Sequence, residues 1–161
     1  LSLARCGFKP IVIERGEDVD KRSLSVDKFW EENILNTESN VSFGEGGAGT
    51  FSDGKLNTMV KDKSGRNNEV LKTLVEFNAP KDILTDPKPL IGTDLLKGII
   101  KNIREEIIRL GGEVRFDTKL IDIEDIKKNK RVYVISNKAG SNLKAGIVDT
   151  LITNSNMFRK T

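Results

Sequence analysis

The strongest periodic signal in the chain is the series Leu95, Leu96, Ile99, Ile100, Ile103, Ile107 and Ile108. Its steps of three and four residues place an apolar stripe along one face of a helix. Thr93 is a good N-cap for that helix, and Gly111-Gly112 stops it. A shorter amphipathic helix is predicted from Asn68, with Val70, Leu71, Leu74 and Val75 on one face, ending before Pro80. Residues 19–33 read as helical but interrupted, with Asp18 and Ser25 as N-caps and Val26, Phe29 and Trp30 as a core stripe. At the start, Leu1, Leu3 and Ala4 have helical spacing and Gly7 suits a C-cap, so the first residues read as the end of a helix.

The strand-like runs are shorter. Ile11, Val12 and Ile13 follow Pro10 as an uninterrupted apolar triplet, which suits a strand covered on both faces. Residues 87–91, bounded by Asp86 and Gly92, read as a strand leading into the long helix. Beyond that helix come 114–116 with 120–123, then 131–136, then 143–152, separated by turns at 127–130 and 137–141 rich in Lys, Asn, Gly and Ser. This is a helix followed by a small β-meander. No internal repeat is evident, and the charged, exposed turn at 61–67 separates the first half from the second.

Composition narrows the chemistry. With 161 residues, 37% hydrophobic and 32% charged, the chain is an ordinary soluble fold by content. Its 27 basic and 24 acidic side chains are interspersed, so the net +3 gives no basic face and no expectation of nucleic-acid binding. No apolar run approaches the roughly 20 residues of a membrane helix, and no signal peptide opens the chain, so a cytoplasmic protein is expected. Cys6 is the single cysteine, which excludes an internal disulfide and a two-cysteine relay; the absence of histidine excludes Ser-His-Asp triads and histidine metal sites. No metal site is expected.

Two stretches carry candidate chemistry. The order helix end, Gly7, buried strand, Glu14 is half of a βαβ unit. In dinucleotide-binding versions the acid ending the second strand takes ribose hydroxyls, about 20 residues after a Gly-x-Gly-x-x-Gly turn. Only 13 residues precede Glu14, so such a turn would lie before Leu1. On its own, an acid after a strand more often simply ends the strand in solvent. The second stretch is residues 39–58, SNVSFGEGGAGTFSDGKLNT, with Gly44, Gly46, Gly47, Gly49 and Gly54. Glycine lets main-chain N–H groups approach phosphate oxygens without an intervening Cβ, and Thr50, Ser52, Asp53 and Lys55 add polar groups of the kind such a site uses. A flexible linker is the plain alternative. Val41, Phe43, Phe51 and Leu56 are threaded through the segment, however, and linkers are short of large apolar side chains, so an ordered loop is expected. A Walker-type loop is disfavoured, because Lys55 follows a single Gly54 and no Ser or Thr comes next.

Leu3-Ala4-Arg5 with Gly7, the run 12–16, Phe29-Trp30, residues 39–58, Ile91-Gly92-Thr93-Asp94 and the run 111–116 together resemble, in the same order, a bacterial family of uncharacterised FAD-dependent dehydrogenases. The resemblance spans about residues 1–150 and is most specific in the glycine-rich stretch. It implies an α/β fold: a partial Rossmann-like FAD-binding domain over 1–60 with an incomplete βαβ unit, an inserted substrate-side region at 61–94, and a helix with β-meander at 95–152 returning to the FAD domain. The resemblance implies a role for Glu14 on the ribose of FAD and for Arg15 beside the adenine. It sets the backbone of Gly44, Gly46, Gly47, Ala48 and Gly49, with Thr50, Ser52, Asp53 and Gly54, along the pyrophosphate and ribityl chain. Lys55 would bring positive charge near the flavin, and main-chain groups of Leu120 would meet the adenine. Thr93 and Asp94 are explained by an N-cap and a first-turn acid.

The implied activity is an oxidoreductase that passes hydride or electrons through FAD, with NAD(P)H as electron donor and a small-molecule substrate or acceptor. The pattern departs from the family at both ends. The glycine turn is missing upstream, and residues 153–161 replace an expected glycine-containing turn, as a truncated or frame-shifted gene would give; the segment alone is expected to be inactive. The reading that rests on the glycine-rich loop alone is a non-enzymatic nucleotide- or anion-binding module.

Overall fold

The computed structural model describes residues 1–56, 62–126, 129–136 and 144–148, with side chains as far as 121. Asn57 and Thr58 at the end of the glycine-rich stretch, Lys61, the turn residues 127–128 and 137–141, residues 143 and 149–152, and the tail 153–161 lie outside them. The chain is mixed α/β and divides into two compact units, Leu1–Asp117 and Thr118–Thr161.

In the first unit, the chain leaves helix α1 (Ser2–Arg5) through Gly7, with the Phe8 N–H donating to Leu3 O, and enters strand β1 (Ile11–Ile13). Strand β1 pairs in parallel with β2 (Glu113–Arg115), Val12 opposite Val114. The pairing is extended at both ends, since Glu113 N–H donates to Pro10 O and Glu14 N–H to Arg115 O. The triplet is not covered on both faces as its composition predicts: Ile11 is 52% exposed and Val12 39%. In a two-stranded sheet β1 has a single neighbour, and the layers that would bury its faces are not among the described residues.

Helix α2 (Val19–Glu32) is continuous. Asp18 caps it by accepting from the N–H groups of Asp20 and Lys21. Ser25 is not a second cap; its hydroxyl donates to Glu17 Oε2 at 2.6 Å, which removes the reason to interrupt the helix. Its buried face is Val19, Arg22 and Val26, whereas Trp30 is 68% exposed, so Trp30 is not a core residue. Helix α3 (Arg66–Glu76) begins slightly before the expected Asn68, because the Asp62 carboxylate accepts from the N–H groups of Arg66 and Asn67.

Residues 87–91 do not form a strand. Pro87 and Pro89 have no N–H to give a ladder, and what remains is one antiparallel bridge, Lys55 to Leu90, flanked by Ile91 N–H to Gly54 O and Leu56 N–H to Pro89 O. Helix α4 (Thr93–Arg109) then starts with Gly92, not Thr93, at the cap position and without a side-chain cap. The core gathers Ala79, Ile83, Ile91, Leu96 and Ile99, with Leu71, Leu74 and Val75 of α3 packed against it. Leu95 and Ile108 are exposed, so the buried stripe of α4 is narrower than the apolar repeat.

The second unit is an antiparallel meander of β3 (Thr118–Ile126), β4 (Asn129–Ser136) and β5 (Lys144–Val148). The runs 114–116 and 120–123, grouped together in sequence, belong to different sheets: the first joins β1 and the second lies in β3. The unit boundary falls between them, within the stretch 95–152. Among the described residues no helix is long and apolar enough to cross a membrane.

Ile99 is 2% exposed at the centre of the first unit's core. Its replacement by alanine is expected to lower the unfolding free energy by about 2–5 kcal/mol, the range for deleting a buried isoleucine side chain. Urea denaturation followed by far-UV circular dichroism checks it; an unchanged midpoint would mean this core is not what holds the unit.

Candidate functional site

The glycine-rich stretch is organised around a residue that its own motif does not contain. Arg22 has no solvent exposure. From the buried face of α2 its guanidinium donates to the carbonyls of Asn40 (Nε, 2.9 Å), Glu45 (Nη1, 2.6 Å) and Val41 (Nη2, 3.2 Å), and it packs over the Phe51 ring at 4.6 Å. Burial lowers its pKa to about 10, opposed by the negative charges of Glu14 and Glu45, so it remains charged at neutral pH. The loop closes tightly on it. Gly44 has φ +119, and a Cβ there would stand 2.3 Å from Arg22 Cδ. A side chain at this position is therefore excluded both by backbone conformation and by space.

Glu45 makes the second tie. Its carboxylate, 7% exposed as a residue, accepts from the Val19 N–H at the start of α2 (2.7 Å) and from Arg104 of α4 (3.1 Å). Burial raises its pKa; the Val19 hydrogen bond and Arg104 oppose the shift, and Asp18 and Asp20 add to it. The loop is thus fixed to two helices by one acid.

Glu14, just past β1, meets the same loop. Its Oε1 accepts from the N–H groups of Gly16 (2.8 Å) and Gly44 (3.1 Å), and among the described residues its Oε2 accepts no hydrogen bond. Neighbouring Arg15 is ion-paired with Glu38 and packs over the Phe43 ring at 4.4 Å. The fold therefore brings together the two stretches that the sequence singled out, the acid after the strand and the glycine-rich segment.

Within the loop, Gly46, Gly47, Ala48 and Gly49 are exposed, and a 3-10 turn (Ala48–Phe51) follows. Thr50 is fully buried, with its hydroxyl 3.5 Å from Glu45 O. Ser52 donates to Gly49 O and accepts from the Gly54 N–H, while Asp53 accepts from the Lys55 N–H and pairs with Lys55 Nζ at 2.7 Å. These side chains hold the loop itself. Gly54 (φ +76) lies so near residue 91 that a Cβ would stand 2.0 Å from Ile91 O, which anchors the loop's end to the start of α4. Leu120 is in the second unit, on β3 opposite Val134. Thr93 and Asp94 are in the first turn of α4.

Three residues that build the site carry no motif signal: Arg22, Glu45 and Arg104. Arg22 had a trace in the sequence, since it shares the helical face of Val19 and Val26, where an unpaired arginine has no reason to be. Glu45 and Arg104 could not have been matched, because their pairing depends on how α4 crosses the loop.

Arg22→Met keeps the aliphatic stem but leaves three carbonyls without their donor. Hydrogen bonds from a charged group contribute roughly 1.5–3 kcal/mol each, and a loss of about 3 kcal/mol in stability is expected, with amide hydrogen exchange accelerating first at residues 40–45. Loss of stability without faster exchange there would contradict this role. For Glu45 the raised pKa means that the folded chain holds the proton to higher pH than the unfolded chain. That contribution to stability is complete below the ordinary value of 4.5 and is lost as pH rises through the folded value. Glu45→Gln removes the dependence, so its stability relative to wild type should rise with pH across that window in urea titrations started below 4.5.

No family model matches the chain. Over 120 residues it is 62% identical to a protein of Clostridium beijerinckii named only as an uncharacterized protein, a match covering 74% of this chain. The chain spans 22% of that relative's length.

Proposed function

We propose that this chain is part of the FAD-binding domain of an FAD-dependent oxidoreductase, with β1 and β2 as neighbouring strands of a partial Rossmann-like sheet. The observation that carries this reading is the 3.1 Å contact between the Glu14 carboxylate and the Gly44 N–H. It puts an acid at the end of a parallel strand against a glycine-rich loop, the pairing that a dinucleotide requires for its ribose and its phosphates.

The residues present fit the group. Glu14 keeps Oε2 for a ribose hydroxyl while Oε1 holds the loop. Gly46, Gly47, Ala48 and Gly49 are exposed and offer a surface that phosphate oxygens can approach, with the Gly47 N–H itself donating to Gly44 O. Arg15, ion-paired with Glu38 and packed over Phe43, would lie beside the adenine. Thr50, Ser52, Asp53 and Gly54 hold the loop in shape, and Lys55 sets a positive charge, partly offset by Asp53, at its end. Bound there, FAD would supply the hydride or electron transfer, with NAD(P)H as the donor and a small molecule as the acceptor. The chain's own residues position and tune it.

The test is an FAD titration of this chain and of a version extended on both sides with the flanking sequence of the Clostridium relative. The extended protein is expected to acquire a flavin absorption spectrum, and Glu14→Ala to weaken binding by about tenfold, the effect of losing roughly 1.4 kcal/mol of ribose contact. An extended protein that stays colourless would sink the proposal. Nucleotide protection of the loop amides in that same colourless protein would favour the non-enzymatic binding module.

A further inference from the structure

Helix α4 turns a basic edge toward the glycine-rich loop. Lys97, Lys101 and Arg104 follow one another at helical spacing, so they share a face. Two of the three charges are answered by carboxylates: Lys101 Nζ lies 2.8 Å from Asp20 and Arg104 lies 3.1 Å from Glu45. Lys97 is different. Its Nζ sits 4.6 Å from the centroid of the Phe51 ring, and among the described residues no carboxylate is within ion-pair distance, not even Asp94 one turn earlier on the helix. The same ring already faces the Arg22 guanidinium at 4.6 Å. Two cations therefore converge on one aromatic side chain, and two acids of the loop are committed elsewhere, Glu45 to Arg104 and the Val19 N–H and Asp53 to Lys55.

Arg22 is balanced by the negative charges of Glu14 and Glu45, so Lys97 is the cation at this ring that has a cation–π contact and no carboxylate partner among the described residues. Phe51 closes the 3-10 turn that begins at Ala48, directly after the exposed main chain of Gly46 and Gly47. The ammonium group thus lies at the turn that closes the exposed stretch of residues 46–49.

We propose that Lys97 is a ligand-binding residue: its ammonium group contacts a phosphate oxygen of a diphosphate lying on the exposed main chain of residues 46–49. The inference rests on the reading of the loop as a phosphate-binding element, and it adds a residue from a helix whose apolar repeat points only to packing. Lys97 acts as a compact point charge with rotatable donors, which suits a phosphate without fixing its orientation. Lys101, already neutralised by Asp20, makes no such contact.

The experiment uses the full chain and inorganic pyrophosphate as the probe, with backbone amide shifts of Gly46, Gly47, Ala48 and Gly49 followed by NMR. Wild type is expected to show saturable shifts at those amides. Lys97→Gln should weaken binding about tenfold, Lys97→Arg should restore most of it, and Lys101→Gln should stay within about twofold of wild type, with all three variants as stable as wild type in urea. Equal affinity in Lys97→Gln and wild type would overturn the proposal, as would the absence of any pyrophosphate effect on the loop amides, or an equal loss in Lys101→Gln, which would show a diffuse field in place of a contact. Because the probe has no flavin or adenine, the flavin spectrum of the extended protein tests the proposed function independently of this result.

Discussion

Everything around the glycine-rich loop depends on one buried cation. An arginine with no solvent exposure is costly unless its donors are satisfied, and Arg22 satisfies them with three main-chain carbonyls instead of a carboxylate. This choice has structural consequences. Carbonyls from residues 40, 41 and 45 converge on one guanidinium only if the chain wraps round it, so the charge dictates the path of the loop. The wrap brings Gly44 against the arginine stem, where no side chain fits, and leaves the Gly44 N–H pointing at Glu14. One helix position thereby couples α2, the loop and the end of β1.

The Glu45–Arg104 pair then decides which helix the loop rests on. A buried ion pair is a weak source of net stability, because desolvation cancels much of the attraction, yet removing one partner strands the other. Its value lies in registration. Glu45 also accepts from the Val19 N–H at the first turn of α2, where a negative charge is favoured by the helix dipole. The same carboxylate so fixes the start of α2, the middle of the loop and the later half of α4. Among the described residues every buried side-chain polar atom has a partner, which is what a loop of this composition needs to stay in one conformation.

Local signals were legible where local energetics decide. The stop after α4, the Asp18 cap and most of the apolar face of α3 follow from residues within a few positions of each other, and the structure has them, with Leu71, Leu74 and Val75 packed on the core and Val70 exposed. Elements that depend on distant partners were misread. Residues 87–91 look like a strand by hydrophobicity, but two prolines remove the donors a strand needs, leaving a bridge to Lys55. Ser25 resembles a cap until its hydroxyl finds Glu17, and Trp30 resembles core although its face of α2 has no described neighbour to bury it. The candidate site was half legible. Glu14 and the glycines could be found by motif because their chemistry is tied to residue type. Arg22, Glu45 and Arg104 could not, since an arginine bonded to carbonyls leaves no spacing rule behind it.

The internal satisfaction of the loop also constrains what the loop can recognise. Thr50, Ser52 and Asp53 spend their hydrogen-bonding capacity within the loop, so little side-chain chemistry is left there to read a ligand's functional groups. Main chain and nearby charge remain. A surface of that kind, held in place before any ligand arrives, would lose little conformational entropy on binding, and on the proposed reading it would recognise an anion by shape and charge rather than by its substituents. On that reading, selectivity between one nucleotide and another would come from the ends of the site: the Glu14 Oε2 at one side, and at the other whatever the loop's far end presents to the rest of the molecule.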